Sequence, residues 1–458
     1  MAPTSGAGRT EGRLSVLWGY PPTMNQVRWV IAFLALGCGS RRTVMDGDDV
    51  SADADTDADT DADTDADLDA DADADSDSDT DSDPDCEDSV ALDECESAPD
   101  LGDSYTWGCW TVRNIGSAPG CGNTHTAALA LDSLDRPHIV ATQYVVDRAE
   151  GRYFTNDGDA WVRQEIRTEH AFYNGGTVVI DRSDAVHVLV SGVDRDQSHA
   201  TRSGECWSMS PIPDPRSYDL AVDSAGAAHA AANTLDEEAE IEWLSYLTDA
   251  SGEWVAQVVD GPGKVGRDAK IRVDDGNVVH IVYVDVCPTW DERPCLVDED
   301  FPDWRALLYA TNGSGAWTIE VVATDFHEAL ALAVDRGGHA HVAYRNDDEV
   351  RYATNLSGDW EQALVESGKR GGRGPDVSIA ADADGFAHIA FGSWNYYIEG
   401  PLRYATNRSG VWMLETVVDA DATSVEASDI EIDSAGIPHI AYVGGSLRYA
   451  VRDCPEGG

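Results

Sequence analysis

Seven times along this 458-residue chain an Asp is followed six residues later by a His. The pairs are Asp132/His138, Asp181/His187, Asp223/His229, Asp274/His280, Asp335/His341, Asp382/His388 and Asp433/His439. A carboxylate that polarises an imidazole can act as a general base, and the same two residue types can hold a metal ion. Either use needs one constellation in one place. Here the same part returns in every copy, which a scaffold requires and an active site does not. The expectation is that each Asp staples a turn and that each His is a partly buried imidazole bonded to it. None of these residues is then a catalytic group or a metal ligand, and no cofactor is implied.

The elements around each pair support that reading. In the clearest copy, Ile430 to Tyr442, apolar residues alternate before the Asp and again after the His. A period of two marks a strand with one buried face, so the unit reads as a β-hairpin. Three residues after each Asp stands Asp135, Asp184, Gly226, Asn277, Gly338, Gly385 or Gly436. These types tolerate a left-handed backbone, and an Asp side chain can accept the N–H groups of such a turn. A third run follows, as in Leu307–Asn312, Val350–Asn355 and Leu402–Asn407, then a Ser-Gly turn. A Trp opens a fourth run at Trp161, Trp207, Trp254, Trp317, Trp360 and Trp412. Four strands at a repeat of roughly 40–60 residues is the pattern of a propeller blade.

The fold class expected is therefore all-β: a seven-bladed β-propeller of four-stranded antiparallel blades over 105–458. The seventh copy stops after its third run, Leu447 to Arg452, and the missing fourth strand stands at the front as Trp110 to Ile115. The N-terminal strand then completes the last blade and leaves no free sheet edge. Cys109 and Cys454 would fall side by side and lock the ring as a disulfide.

Upstream of the ring the composition changes twice. Residues 1–38 read as a signal region, with Met24 as an alternative start; an apolar run, Trp29 to Leu36, is too short to span a bilayer as a helix. It ends in Ala35-Leu36-Gly37-Cys38, which resembles the bacterial lipobox; the resemblance implies lipid attachment at Cys38 and an outer-membrane or surface lipoprotein of the cell envelope. Residues 39–104 form an Asp-rich linker in which every odd position from Asp53 to Asp85 is Asp. No packed core can come from that composition, and like charges extend it, so it reads as a disordered spacer. It resembles the linkers of bacterial envelope lipoproteins.

The net charge is −54, and outside the spacer acids still outnumber bases about twofold. That disfavours nucleic acid as a partner, because phosphate binding wants a basic surface. It also suits contact with a membrane only through a lipid anchor, and the expected state is a monomer. The nine Cys leave eight after Cys38, an even number that suits disulfides outside the cytoplasm. Cys86–Cys95 and Cys287–Cys295 read as local loops; Cys121 and Cys206 have no assigned pairing. Asn312, Asn355 and Asn407 sit in Asn-x-Ser triplets, which turn chemistry explains without glycosylation.

Function should lie where the copies differ, in the loops between blades and between second and third strands, on the face opposite the Asp/His hairpins. The largest departure, Asp285 to Arg305, carries Trp290 and Trp304 among acidic residues; the sixth copy has Trp394, Tyr396 and Tyr397. Such aromatics could stack on sugar rings. Lys264 and Arg267 precede the fourth copy, and Lys369, Arg370 and Arg373 the sixth; these scarce bases could grip a carboxylate or sulfate. His125, His170 and His327 also fall in between-blade loops, without an identifiable partner.

The Thr-Asn-x-Ser-Gly-x-Trp turn resembles the Asp-box of sialidase-like propellers, Ser-x-Asp-x-Gly-x-x-Trp, with a Gly-to-Trp gap usually one residue shorter. The resemblance implies the fold and not the activity: a sialidase's three Arg, Tyr/Glu pair and Asp acid have no assignable positions here. Some propeller polysaccharide lyases show a similar Asp-x-x-Gly-x-x-His repeat. The expected function is a surface- or envelope-tethered binding or interaction module for a glycan or protein ligand. The alternatives are a polysaccharide lyase or sialidase-like glycoside hydrolase, and a structural envelope scaffold.

Overall fold

In the computed structural model the described residues are 104–454, apart from 117–122, 125, 146–147, 157–160, 167–171, 175, 193–196, 205, 214–215, 237–240, 287–304, 327, 347–348, 368–376, 393–399, 420–424 and 426. Every regular element among them is a β-strand. They form seven antiparallel sheets, each a meander of neighbouring strands. Blade 1 runs from Asn123–Thr124 and Ala128–Leu131 to Trp161–Ile166, and blade 2 from Phe172–Asn174 to Cys206–Ile212. Blade 3 begins at Ser217–Val222, blade 4 at Val265–Val273, blade 5 at Glu328–Val334, blade 6 at Val377–Ala381 and blade 7 at Ala427–Ile432.

These first strands are the inner ones. Each touches the first strand of the next blade, and Ala427–Ile432 returns to Ala128–Leu131, so the ring is closed. Blade 7 is completed from the other end of the chain: Trp110–Asn114 pairs with Leu447–Arg452, from Trp110 opposite Arg452 to Asn114 opposite Arg448. The Cys109–Cys454 disulfide lies beside this seam and joins residues 345 apart in sequence. A further strand, Ser104–Trp107, adds to the outside of Trp110–Asn114 and makes blade 7 five-stranded. The repeat pattern predicts only four strands there.

No single centre holds the ring. Buried apolar side chains form seven clusters, each shared by two adjacent blades. A blade's sheet is apolar on both faces because both are covered by neighbours. That is why second strands such as Val186–Gly192 and Val279–Val286 read as nearly unbroken apolar runs, interrupted by the repeated His.

Candidate functional site

The repeated pairs sit at the turns between first and second strands, and their geometry is the same around the ring. In each copy the Asp Oδ1 accepts the N–H groups two and four residues on, as Asp382 does from Asp384 (3.0 Å) and Phe386 (2.9 Å). The residue three positions on has positive φ in all seven turns: Asp135, Asp184 and Asn277 at 59–63° and Gly226, Gly338, Gly385 and Gly436 at 78–83°. The three non-glycine cases each do a second job. Asp135 accepts Ser434, Asp184 accepts Ser133, and Asn277 accepts the Ser224 N–H, so each ties its turn to the preceding blade.

The imidazoles stand behind the turns. Each His Nε2 lies 3.2–3.5 Å from its Asp Oδ2. In six copies Nδ1 meets a tyrosine hydroxyl from the third strand, as in His280–Tyr309 and His388–Tyr404 at 2.6 Å. The tyrosine ring then meets the next blade's Trp: Tyr153–Trp207 at 5.4 Å, Tyr352–Trp412 at 5.2 Å, Tyr404–Trp110 at 5.3 Å and Tyr449–Trp161 at 5.1 Å. Blade 2 departs: His199 replaces the tyrosine, its Nε2 lies 2.9 Å from His187 Nδ1, and its ring meets Trp254 at 6.0 Å.

An Asp–His–Tyr series of this kind could move a proton, but burial and Trp packing close it to substrate. Burial lowers the pKa of His138, His229, His280, His341 and His439, with the partner carboxylate opposing. Burial likewise pushes Tyr309 and Tyr352 up to about 12. Burial alone would raise Asp132; hydrogen bonds from Arg136, His138 and Leu134 outweigh it and lower its pKa. A neutral imidazole can donate from Nε2 to the carboxylate and accept from the tyrosine at Nδ1. Edge-on aromatic pairs contribute about 0.5–1.5 kcal/mol each beyond burial. The repeated set is joinery between blades.

Charged residues on the inner strands are also joinery. Asp219 accepts the Ile271 N–H at 3.0 Å and Arg272 at 2.8 Å, and Asp429 accepts the Leu129 N–H at 2.8 Å. Both carboxylates thus tie one inner strand to the next. Glu431 is pushed up to about 8 by burial and then by the charge of Asp429.

The opposite face carries chemistry that does not repeat. A cavity of about 280 Å³ at the boundary of blades 3 and 4 is lined by Arg216, Asn233, Glu242, Arg267, Asp268 and Arg305, with Val284 and Val286. Its position follows from an irregular entry into blade 4. Gly261, Gly266 and Asp268 have positive φ, and the pairing of Val265–Val273 with Val279–Val286 shifts register on both sides of Arg267. A Cβ on Gly266 would stand 2.8 Å from the Leu244 Cα, so the chain passes there only without a side chain. Bulges of this kind re-aim a side chain.

Arg267 grips buried Glu242 with two hydrogen bonds, Nη2–Oε1 at 2.6 Å and Nε–Oε2 at 2.8 Å. Burial would raise Glu242, but Arg267, Asn233 and the charge of Arg216 outweigh it and lower its pKa. Asn233 is fully buried; its Nδ2 donates to the Val265 carbonyl at 2.7 Å, and its Oδ1 has no hydrogen-bonding partner among the described residues.

Of the residues singled out from sequence, Arg267 lines this cavity. Lys264 lies three residues upstream, where its carbonyl accepts the Val286 N–H at 2.9 Å. Trp290, Trp304, Trp394, Tyr396, Tyr397, Lys369, Arg370 and Arg373 lie outside the described residues, as do Cys38, Cys86, Cys95, Cys121, Cys287, Cys295, His125, His170 and His327. Arg216, Asn233, Glu242 and Arg305 were not singled out. Their positions beside loops between blades, or at the ends of second and third strands, were the available signal. Cys206 is disulfide-bonded, to a partner outside the described residues. Among the described residues no group of three or more His, Cys, Asp or Glu side chains is placed to hold a metal ion, and no helix is long and apolar enough to cross a membrane.

No protein-family profile and no curated protein sequence matches the chain. Among solved structures, an ulvan lyase from a new polysaccharide-lyase family is similar at TM-score 0.50 and 10% identity, over 73% of this chain and 96% of that one. The K499G mutant of the NanB sialidase of Streptococcus pneumoniae is similar at TM-score 0.41 and 9% identity, over 74% and 70%. AofleA of Arthrobotrys oligospora is similar at TM-score 0.44 and 12% identity, over 68% and 90%. The likeness to the lyase is one of fold.

Proposed function

We propose that the chain is a glycan-binding propeller held at the bacterial cell envelope by its N-terminal region. The observation that carries the reading is the cavity between blades 3 and 4. It is rich in hydrogen-bonding groups and lies on the face of variable loops. Two of its lining residues, Val286 and Arg305, flank in sequence the segment 287–304 that contains Trp290 and Trp304. A polyhydroxylated ligand needs many directed donors and acceptors, and aromatic faces add stacking area. The repeated Asp/His/Tyr sets are set aside as the site because they are buried and used uniformly to hold blades together.

The test is a glycan array probed with the full chain. Saturable binding to a restricted set of glycans supports the reading; no binding to any glycan refutes it. Bound polysaccharides are then incubated with the chain and followed for unsaturated uronate absorbance. Product formation would convert the binding module into a lyase.

A further inference from the structure

Among the charged side chains of the inner strands, Glu431 ties nothing together. We infer that it is a pH-sensitive catch in the closing blade: its carboxyl holds a proton while the ring is intact, and a rise in pH loosens the ring by drawing that proton off.

The geometry begins with the hairpin end of the inner strands. Within five residues ahead of the repeated Asp, the seven inner strands carry five charged side chains: Asp219, Lys270, Arg272, Asp429 and Glu431. These stretches and the turns that follow them lie within the described residues. Three carboxylates thus stand against two bases. Asp219 and Arg272 engage each other at 2.8 Å, and Arg272 also donates to the Ile271 carbonyl at 2.7 Å. Asp429 accepts the N–H groups of Leu129 at 2.8 Å and Ile430 at 3.0 Å. Glu431 has no hydrogen bond and no ion pair among the described residues.

Its surroundings oppose a second negative charge. Residues two apart on a strand share a face, roughly 6–7 Å from each other, so an ionised Glu431 would stand beside ionised Asp429. Burial, and then the charge of Asp429, raise Glu431 to about 8; Arg272 opposes but is already held by Asp219. Blades 4 and 7 are not neighbours, so Arg272 acts on Glu431 across the axis of the ring. Lys270, on the same strand as Arg272, acts on Asp429. The elements packed against the strand supply no free cation. His439 lies opposite Glu431 in the pairing with Pro438–Val443, but it is tied to Asp433 and Tyr449, and burial keeps it neutral. His388, on Ala387–Gly392, is tied to Asp382 and Tyr404. The inner strands on either side, Val377–Ala381 and Ala128–Leu131, carry no ionisable side chain, and Asp132 beyond the latter is held by Arg136 and His138.

The sign follows from the two states. Folded, Glu431 keeps its proton up to about pH 8; unfolded, it loses it above its ordinary value of 4.5. Unfolding between those values releases a proton. The stability from this group is therefore full below about pH 4.5, falls as pH rises, and levels off above about pH 8.

The experiment is urea unfolding of the full chain and of Glu431→Gln, which fixes the neutral form, near pH 6 and near pH 8. The unfolding constant of the parent, relative to the variant, should rise about 10- to 50-fold between the two. In a pH-stat near neutrality the parent should release up to about one proton more than the variant on unfolding, a readout that a merely structural role would not move. Asp429→Asn removes the neighbouring charge and should shrink the parent's pH dependence over the same range, which carries the result if Glu431→Gln does not fold. A parent-to-variant ratio that is the same at both pH values, equal proton release, or an undiminished pH dependence in folded Asp429→Asn overturns the inference. None of these outcomes bears on the glycan-binding reading.

Discussion

Replacing His199 by Tyr should stabilise the ring in acid. Blade 2 is the one copy in which the imidazole behind the turn meets another imidazole, 2.9 Å away, in place of a tyrosine hydroxyl. His199 is buried and its pKa falls to about 4, by burial first and then by the charge of His187, with Asp249 opposing. A histidine with a depressed native pKa is neutral when folded and takes up a proton on unfolding below about pH 6.5. Its contribution to stability is therefore lost as pH falls from about 6.5 to about 4, and it is constant below that. At about pH 4.5 the loss amounts to roughly 2–3 kcal/mol. His199→Tyr removes this group and exchanges the His187–His199 hydrogen bond for the hydroxyl contact seen at 2.6 Å in neighbouring blades, one hydrogen bond for another. The variant should be within about 1 kcal/mol of the parent near pH 7.5 and roughly 2–3 kcal/mol more stable near pH 4.5. Urea unfolding followed by tryptophan fluorescence at both pH values measures the difference. A stability gap that does not widen in acid would refute the reasoning.

Three further perturbations test the scaffold. Cys109→Ser with Cys454→Ser opens a loop of 345 residues, for which the chain-entropy relation predicts a loss of up to about 6 kcal/mol, read from the urea midpoint with and without the disulfide. Trp110→Ala removes a buried ring of the closing strand that packs on Tyr404 of blade 6 and donates to Glu415 of the same blade; it should cost about 3–5 kcal/mol in urea unfolding, comparable to a core Trp within one continuous sheet. Asp135→Gly relieves a left-handed non-glycine residue but loses two hydrogen bonds from Ser434, so its net effect on stability at the thermal midpoint should be within about 1 kcal/mol.

Much of the ring can be read from residue types because each blade needs the same local solutions. The left-handed turn position shows itself as Gly, Asn or Asp, and the missing fourth strand shows itself as Trp110. Cys109 and Cys454 follow from that closure. The tyrosine partner of each His was less visible, since Tyr309 or Tyr404 fits an ordinary alternating strand and its hydroxyl meets the imidazole only when the meander folds. The fifth strand of blade 7, Ser104–Trp107, is short and exposed and carries no repeat to mark it. The cavity was legible only at Arg267. Arg216, Asn233, Glu242 and Arg305 belong to no repeated pattern, and blade topology brings them together across as many as 89 positions, from 216 to 305.

The central claim is that the repeated residues build the ring while the unrepeated cavity recognises the ligand. A glycan array comparing Arg216→Ala/Arg305→Gln with His280→Gln, each shown by circular dichroism to be folded, tests it most directly. His280 belongs to the repeated set of the same blade 4 that supplies Arg305. The account predicts that the arginine variant loses the ligand and the histidine variant retains it. Loss of the ligand in the folded histidine variant, with retention in the arginine variant, would contradict it.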